Sequence, residues 1–372
     1  MPTVLVKPVG DRCNLACRYC FYHPGTGSPG AVMPDHVLET MTRRFLELRQ
    51  SPTIFAWQGG EPTLAGLDFY RRALSLQRQY AAEDQQVVNT FQTNGVLVGE
   101  EWASFLAENQ FLVGLSVDGP PECHDAMRRG GGSSHAAAVR AWRVLQEAGC
   151  AVNILCVVSR ANCQAPGELY HYFTDELRAE YLQFISCGEW TPSGGLADFS
   201  LRRGQYGRFL VALFDLWSAE RARNISIKLF DDLILFLAGK PMRDCMHQAT
   251  CDSHLVVERD GSVYPCDFFV GEADRLGSML EQTPFQLRST ARARTFRERK
   301  TKQMPPRCVD CRHLDICRGG CPKFWRPQRD GNFQQYLCRD MRYFLDQRRP
   351  AMEQMAASVR ARWRQWGIGS TP

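Results

Sequence analysis

No part of this 372-residue chain is apolar for long. Its longest apolar stretches, such as Ala151–Val158, fall far short of the roughly 20 residues a membrane helix needs, so no membrane span is expected. The opening residues, MPTVLVKPVG, lack a basic segment followed by an apolar one. No secretory signal is therefore expected, and the chain reads as cytoplasmic. Charge of one sign is not in excess either, with 45 basic against 40 acidic residues and a net charge of +5. That balance does not argue for nucleic acid, which needs a denser basic face. The eight histidines show no ligand spacing such as H-x3-H. There is no low-complexity tract. With 44% apolar and 23% charged residues the composition is that of a globular chain long enough to bury a core without disulfides.

What is abundant is cysteine, 16 residues in all. In a reducing compartment such thiols bind metal or do catalysis more often than they form disulfides. Along the first half, β-rich runs at 3–6, 53–57, 87–91, 111–117, 151–158 and 180–185 alternate with helical patterns. The helical patterns are 34–50, 67–82, 100–109, 134–148 and 166–177, with apolar residues three or four apart. This repetition predicts an α/β fold with a parallel sheet, a partial (β/α)6 TIM-like barrel. A doubly wound sheet is the competing reading. Helices are expected at 205–221 and 231–238. Beyond about Cys245 the alternation stops, and 254–258 with 262–265 reads as a β-hairpin around Arg259-Asp260-Gly261. The expected division is 1–240 for the barrel, 241–345 for a cysteine-rich domain with a hairpin and helices, and 346–372 for a C-terminal helix.

The polar signatures follow strands. Cys13 to Cys20 follows the first, Gln58-Gly59-Gly60-Glu61-Pro62 the second, Gln92-Thr93-Asn94-Gly95 the third and Asp118-Gly119-Pro120 the fourth. Strand C-terminal ends are where barrel and α/β active sites are built. Cys13-x3-Cys17-x2-Cys20 places three thiolates on one loop. Three thiolates can hold a cubane iron–sulfur cluster and leave one iron open to a reactant. A zinc loop short of its fourth ligand is the bland alternative. Cys245-x5-Cys251-x14-Cys266 and Cys308-x2-Cys311-x5-Cys317-x3-Cys321-x16-Cys338 supply eight more thiols. Eight thiolates suit two cubane clusters or two structural zinc sites, and spacing alone does not say which four go together.

On these motifs the chain resembles the radical S-adenosylmethionine (SAM) superfamily. Cys13, Cys17 and Cys20 match its cluster motif, and Gly59-Gly60-Glu61-Pro62 matches the segment that meets the SAM amino group. The eight later cysteines resemble the SPASM extension with two auxiliary clusters. The resemblance implies three [4Fe-4S] clusters, with Cys245, Cys251, Cys266 and Cys321 on one auxiliary cluster and Cys308, Cys311, Cys317 and Cys338 on the other. The remaining five cysteines, Cys123, Cys150, Cys156, Cys163 and Cys187, receive no role, and Cys156 reads as core.

Nearly the whole chain looks like the anaerobic sulfatase-maturating enzymes, most specifically at Cys17-Arg18-Tyr19-Cys20-Phe21-Tyr22-His23 and Asp260-Gly261-Ser262-Val263-Tyr264-Pro265-Cys266-Asp267-Phe268. The likeness implies oxidation of a cysteine or serine in a sulfatase segment C/S-x-P-x-R to Cα-formylglycine. A 5′-deoxyadenosyl radical from SAM would take a Cβ hydrogen. Asp267 matches the family's base. Tyr19, Ser116, Arg128 and Leu182 match SAM contacts. The implied partners are the sulfatase and an electron donor such as flavodoxin or ferredoxin, acting on a monomer. Alternatives are another SPASM maturase, which forges crosslinks in a ribosomal peptide, and a non-enzymatic zinc scaffold. Crosslinking maturases often carry a preceding peptide-recognition domain, for which a first strand at residue 3 leaves no room. His23 reads as structural. The basic stretch from Arg288 to Lys302, with seven Lys or Arg against Glu298 alone, reads as a solvated face.

Overall fold

The computed structural model describes residues 3–22, 32–220 and 223–367. His23, most of the Gly/Pro-rich stretch after it, and Arg221 lie outside the described residues. Two compact units are distinguished. The first comprises Met1–Val117, His124–Asn153 and Asp252–Arg297. The second comprises Asp118–Cys123, Ile154–Cys251 and Glu298–Pro372.

In the first unit β1 (Thr3–Lys7), β2 (Thr53–Trp57), β3 (Val87–Thr93) and β4 (Leu112–Ser116) run parallel and in sequence order. Helices α1 (Asp35–Leu46), α2 (Leu67–Tyr80) and α3 (Glu100–Glu108) connect them. Pro121–Met127 (α4) and Ser134–Glu147 (α5) then lead to β5 (Ala151–Val158), which passes from the first unit into the second. Parallel strands need a crossover of this length, and a helix on the sheet face supplies it. Val37, Leu38, Met41 and Phe45 recur on one face of α1 and are at most 1% exposed. Each such side chain contributes about 1.5–3 kcal/mol by leaving water. Trp57, Tyr70 and Phe91 pack edge-on between the sheet and α2, with centroids 5.2–5.5 Å apart.

One strand comes from far along the chain. Residues His254–Glu258 (labelled β8, after β6 and β7 below) pair in parallel with β1, from Thr3 opposite His254 to Lys7 opposite Glu258. The expected hairpin is present, since β9 (Ser262–Tyr264) returns antiparallel to β8. Its first strand nevertheless extends the parallel sheet of the first unit, so the compact units do not divide the chain at residue 240.

In the second unit β5 pairs in parallel with β6 (Tyr181–Ser186), which pairs with the short β7 (Ser226–Ile227). Helix α6 (Pro166–His171) gives way to a π-helical turn over Tyr172–Glu176 where one continuous helix was expected. Helices α7 (Gln205–Ala219) and α8 (Lys228–Leu237) pack against the terminal helix Cys338–Gln365. Phe344 of that helix meets Phe214 and Phe230 at 6.1 and 5.7 Å. Buried Asp340 accepts hydrogen bonds from the backbone N–H groups of Gly204 (3.0 Å) and Gly207 (2.8 Å). No helix among the described residues is long and apolar enough to cross a membrane.

Candidate functional site

In the first unit the cysteine loop is held from several sides. Ala16–Cys17 forms a short antiparallel ladder with Arg128–Arg129, and the Arg18 N–H donates to Met127 O at 2.8 Å. The Cys20 N–H closes a turn on Cys17 O at 3.1 Å, and the Leu15 N–H donates to Cys13 Sγ at 3.4 Å. The Leu15 donor favours the Cys13 thiolate over the thiol.

The glycine pair after β2 lies directly on this loop. The Glu61 N–H donates to Arg12 O at 2.9 Å. A Cβ on Gly60, whose φ is +47°, would come within 2.0 Å of Arg12 O, and one on Gly59, at φ +89°, within 2.0 Å of Lys7 Cδ. Only glycine allows both the left-handed backbone and the close approach. The Glu61 side chain, 1% exposed, accepts from the Thr63 N–H and hydroxyl, the Thr93 hydroxyl and the Asn94 N–H at 2.7–3.1 Å. Burial raises its pKa, while these donors stabilise the charged form. Its carboxylate thus ties the loops after β2 and β3 together. Asn94 Nδ2 in turn donates to Asn14 Oδ1 at 2.7 Å and lies 3.7 Å from Cys13 Sγ. Burial pushes the Cys13 thiol up to about 11, with Glu61, Cys17 and Cys20 adding to it.

Tyr19 is 9% exposed, and Arg128, 8% exposed, holds its guanidinium 5.4 Å from the Tyr19 ring centroid. Ser116 is buried at the end of β4. The structure therefore gathers Cys13, Cys17, Cys20, Tyr19, Gly59, Gly60, Glu61 and Arg128 around one loop. Leu182 is buried in β6 of the second unit.

Asp267 follows Cys266, whose thiol donates to Asp267 Oδ1 at 3.6 Å. The Phe268 ring packs against Phe21 with centroids 4.4 Å apart. That contact brings the segment of Asp267 beside the cysteine loop. A residue that the sequence did not single out joins it. Ligand atoms of His254, Cys266 and Asp267 all lie within 4.8 Å of one another. His254 Nδ1 faces Ser253 Oγ at 2.9 Å, and its buried Nε2 has no hydrogen-bond partner among the described residues. Burial lowers the His254 pKa, and Asp267 opposes that shift. Only the parallel pairing of β8 with β1 could have revealed His254, since no local motif marks it.

In the second unit Cys308, Cys311, Cys317 and Cys338 line one cavity, together with His313, Gln335 and Arg342. Burial pushes Cys308 up to about 11 and Cys317 up to about 12. His313 pairs through Nε2 with Asp346, while its buried Nδ1 has no hydrogen-bond partner among the described residues. Four thiols and an orphaned ring nitrogen around one cavity fit a four-thiolate iron–sulfur group. The three thiols and glycine cradle of the first unit fit a three-thiolate cluster with an open iron. Cys245, Cys251 and Cys321 also lie in the second unit, and Cys266 lies in the first. None of the 16 cysteines forms a disulfide, and Cys150, Cys156, Cys163 and Cys187 are buried.

Comparison with known proteins adds to this geometry. The Radical SAM superfamily model matches residues 8–162, and the SPASM iron–sulfur cluster-binding domain matches 245–312. The cysteine-type anaerobic sulfatase-maturating enzyme of Clostridium perfringens (strain 13 / Type A) is 36% identical over 96% of this chain and 99% of its own. The chain belongs to the anaerobic sulfatase-maturating enzymes. A serine-type member from Bacteroides thetaiotaomicron is 34% identical over 95% of this chain and 90% of its own. A solved family structure, native anSMEcpe with bound AdoMet and Cp18Cys peptide, superposes with a TM-score of 0.89 at 35% identity. It covers 96% of this chain and 99% of that one. As an anaerobic sulfatase-maturating enzyme the chain is a radical SAM oxidoreductase with an α/β fold around a parallel sheet, and its two domains imply SAM and iron–sulfur clusters.

Proposed function

We propose that this chain oxidises a cysteine or serine in the C/S-x-P-x-R segment of a sulfatase to Cα-formylglycine. One observation carries the reading: within the first unit the three-thiol loop, the glycine cradle and the Asp267 segment lie together, with Phe21 packed on Phe268. Cys13, Cys17 and Cys20 hold the SAM-chelating cluster. The backbone of Gly59-Gly60, brought close to Arg12 O, receives the SAM ammonium, while Glu61 anchors the turn. Arg128, a planar fork beside Tyr19, suits the methionine carboxylate, and Tyr19 and Ser116 supply further SAM contacts. When bound, these groups supply a hydrogen-abstracting radical from SAM and an outlet for the second electron. Asp267 receives the proton that the target thiol or hydroxyl must lose as its Cβ is oxidised. For a cysteine target, water then exchanges sulfur for oxygen.

Cys308, Cys311, Cys317 and Cys338 hold one auxiliary [4Fe-4S] cluster, and Cys245, Cys251 and Cys321 supply ligands to another, three clusters in all. Along the sequence the same reading assigns 1–240 to the radical SAM part, 241–345 to the cysteine-rich part and 346–372 to a C-terminal helix, even though the strand His254–Glu258 joins the sheet of the first unit. It also includes a reduced flavodoxin or ferredoxin as donor and a monomeric chain. A cytoplasmic setting belongs to the same reading, since a reducing compartment suits cysteines committed to metal clusters. The test is anaerobic reconstitution, then SAM, reductant and paired peptides bearing C-x-P-x-R or S-x-P-x-R, read by mass spectrometry. Aldehyde formation with 5′-deoxyadenosine is the expected result, and the productive peptide defines the substrate type. Deoxyadenosine with a crosslinked peptide would instead move the chain to another maturase class.

A further inference from the structure

Of the seven cations between Arg288 and Lys302, one does not reach solvent. Lys300 is 0% exposed, whereas Lys302 on the same short helix, Arg299–Lys302, is exposed and pairs with Glu298. The Lys300 ammonium donates to the carbonyl oxygens of Met246 (2.8 Å) and Gln248, in the loop between Cys245 and Cys251. Among the described residues it forms no ion pair with a carboxylate. An ammonium taken out of water is unfavourable unless anions nearby compensate it. The anionic groups that act on it are the carboxylate of Asp244, whose pKa it helps to lower, and cysteines. Burial lowers its pKa, and Cys251, Cys321, Cys317 and Cys245 oppose that shift. Cys317 belongs to the cavity of Cys308, Cys311 and Cys338, whereas the other three belong to the second thiol group.

We infer that Lys300 is a positioning residue of the auxiliary-cluster region, one that ties down the Cys245–Cys251 loop and holds a fixed positive charge beside it. This inference rests on the proposed function, in which those cysteines hold iron–sulfur clusters. The reason for burying a lysine there is electrostatic. A four-thiolate cluster is anionic and gains further negative charge on reduction. A fixed cation nearby stabilises the reduced form more than the oxidised one and raises the reduction potential. A raised potential makes a cluster a better acceptor for the electron left after Cβ oxidation. The two backbone acceptors hold the charge in place, which a solvated lysine could not do.

The test compares Lys300→Met and Lys300→Arg with the unaltered holoenzyme. Each is reconstituted anaerobically, assayed for iron and titrated electrochemically with EPR detection. Lys300→Met is expected to lower the midpoint potential of at least one auxiliary cluster, and Lys300→Arg to keep it close to the unaltered value. The EPR signal that SAM perturbs, which reports the cluster of Cys13, Cys17 and Cys20, is expected to be unchanged in both. Full iron with unchanged potentials in Lys300→Met overturns the inference and leaves the proposed function standing. If Lys300→Met loses auxiliary iron, rescue of iron and potential by Lys300→Arg supports the inference. Equal loss in both variants overturns it, because shape and not charge would then be what matters. If the unaltered enzyme holds zinc at these cysteines, the proposed function falls and the inference falls with it.

Discussion

The two thiol centres seen within single compact units are built in opposite ways. Cys13, Cys17 and Cys20 lie on one loop after β1, and backbone hydrogen bonds within eight residues already bring them together. The remainder of the unit adds a glycine cradle, a buried carboxylate and the Arg128 ladder. Cys308 and Cys317 end two short helical turns, Cys311 lies between them, and Cys338 starts the terminal helix. They share a cavity only because that helix is docked through Phe344 and Asp340. The first centre offers three thiols, which would leave one iron of a cubane cluster without a protein ligand and so suit chemistry. The second has four, which closes the coordination and suits electron transfer. Local chain geometry assembles the three-thiol group, proposed to be the reactive centre, and tertiary packing assembles the four-thiol group, proposed to be an auxiliary one.

The sharpest way to break this comparison is to remove one thiol from each. Cys17→Ala is expected to abolish SAM cleavage, read as 5′-deoxyadenosine. Cys338→Ala is expected to keep cleaving SAM while losing aldehyde product. Equal loss of deoxyadenosine in both would erase the distinction. Asp267→Asn tests the chemistry beside the first centre. Peptide oxidation should fall by about 10²- to 10⁴-fold, the usual worth of a general base, with SAM cleavage persisting. A variant that oxidises peptide at the normal rate would remove Asp267 from the mechanism.

Smaller effects probe the scaffolds. Asp340→Ala leaves the buried N–H groups of Gly204 and Gly207 unpaired. Each unmet donor costs about 1–3 kcal/mol, so urea unfolding should show a loss of several kcal/mol, with less iron retained in the second unit. Asp125→Ala should cost about 1 kcal/mol, as loss of a helix-capping carboxylate does. Burial raises the Asp125 pKa, but hydrogen bonds from Ser133, His135 N–H and Ser134 outweigh it and hold the carboxyl below its ordinary value of 3.8. A depressed carboxyl stabilises the fold above the unfolded value and loses that contribution as pH falls through the folded one. The gap between Asp125→Ala and the unaltered protein should therefore close below pH 3.8, as followed by thermal melts.

Much of this was legible in the chain. Strands at 53–57 and 151–158 have the bounds that alternation predicts, and the hairpin at 254–264 is present. The thiol loop and the glycine cradle follow the strands expected of them. Other features were not legible. The Arg288–Lys302 stretch reads as a solvated face, yet Lys300 is buried, because burial depends on which residues pack opposite and not on local charge density. His254 looks like any strand residue until β8 pairs with β1 and sets it beside Asp267. Nothing local places Phe21, in the first loop, against Phe268, some 250 residues on.

By itself the sequence determined the alternating βα architecture, the three-thiol loop and the need for glycine at residues 59 and 60. Each depends on interactions within a few residues, where side-chain period, turn geometry and thiol spacing suffice. Only the tertiary structure decided that the strand after Cys251 extends the sheet at β1, that Asp267 lies beside the first loop, and that four distant cysteines share a cavity. Those outcomes depend on strand register and helix docking, which long-range burial selects from among locally equivalent possibilities.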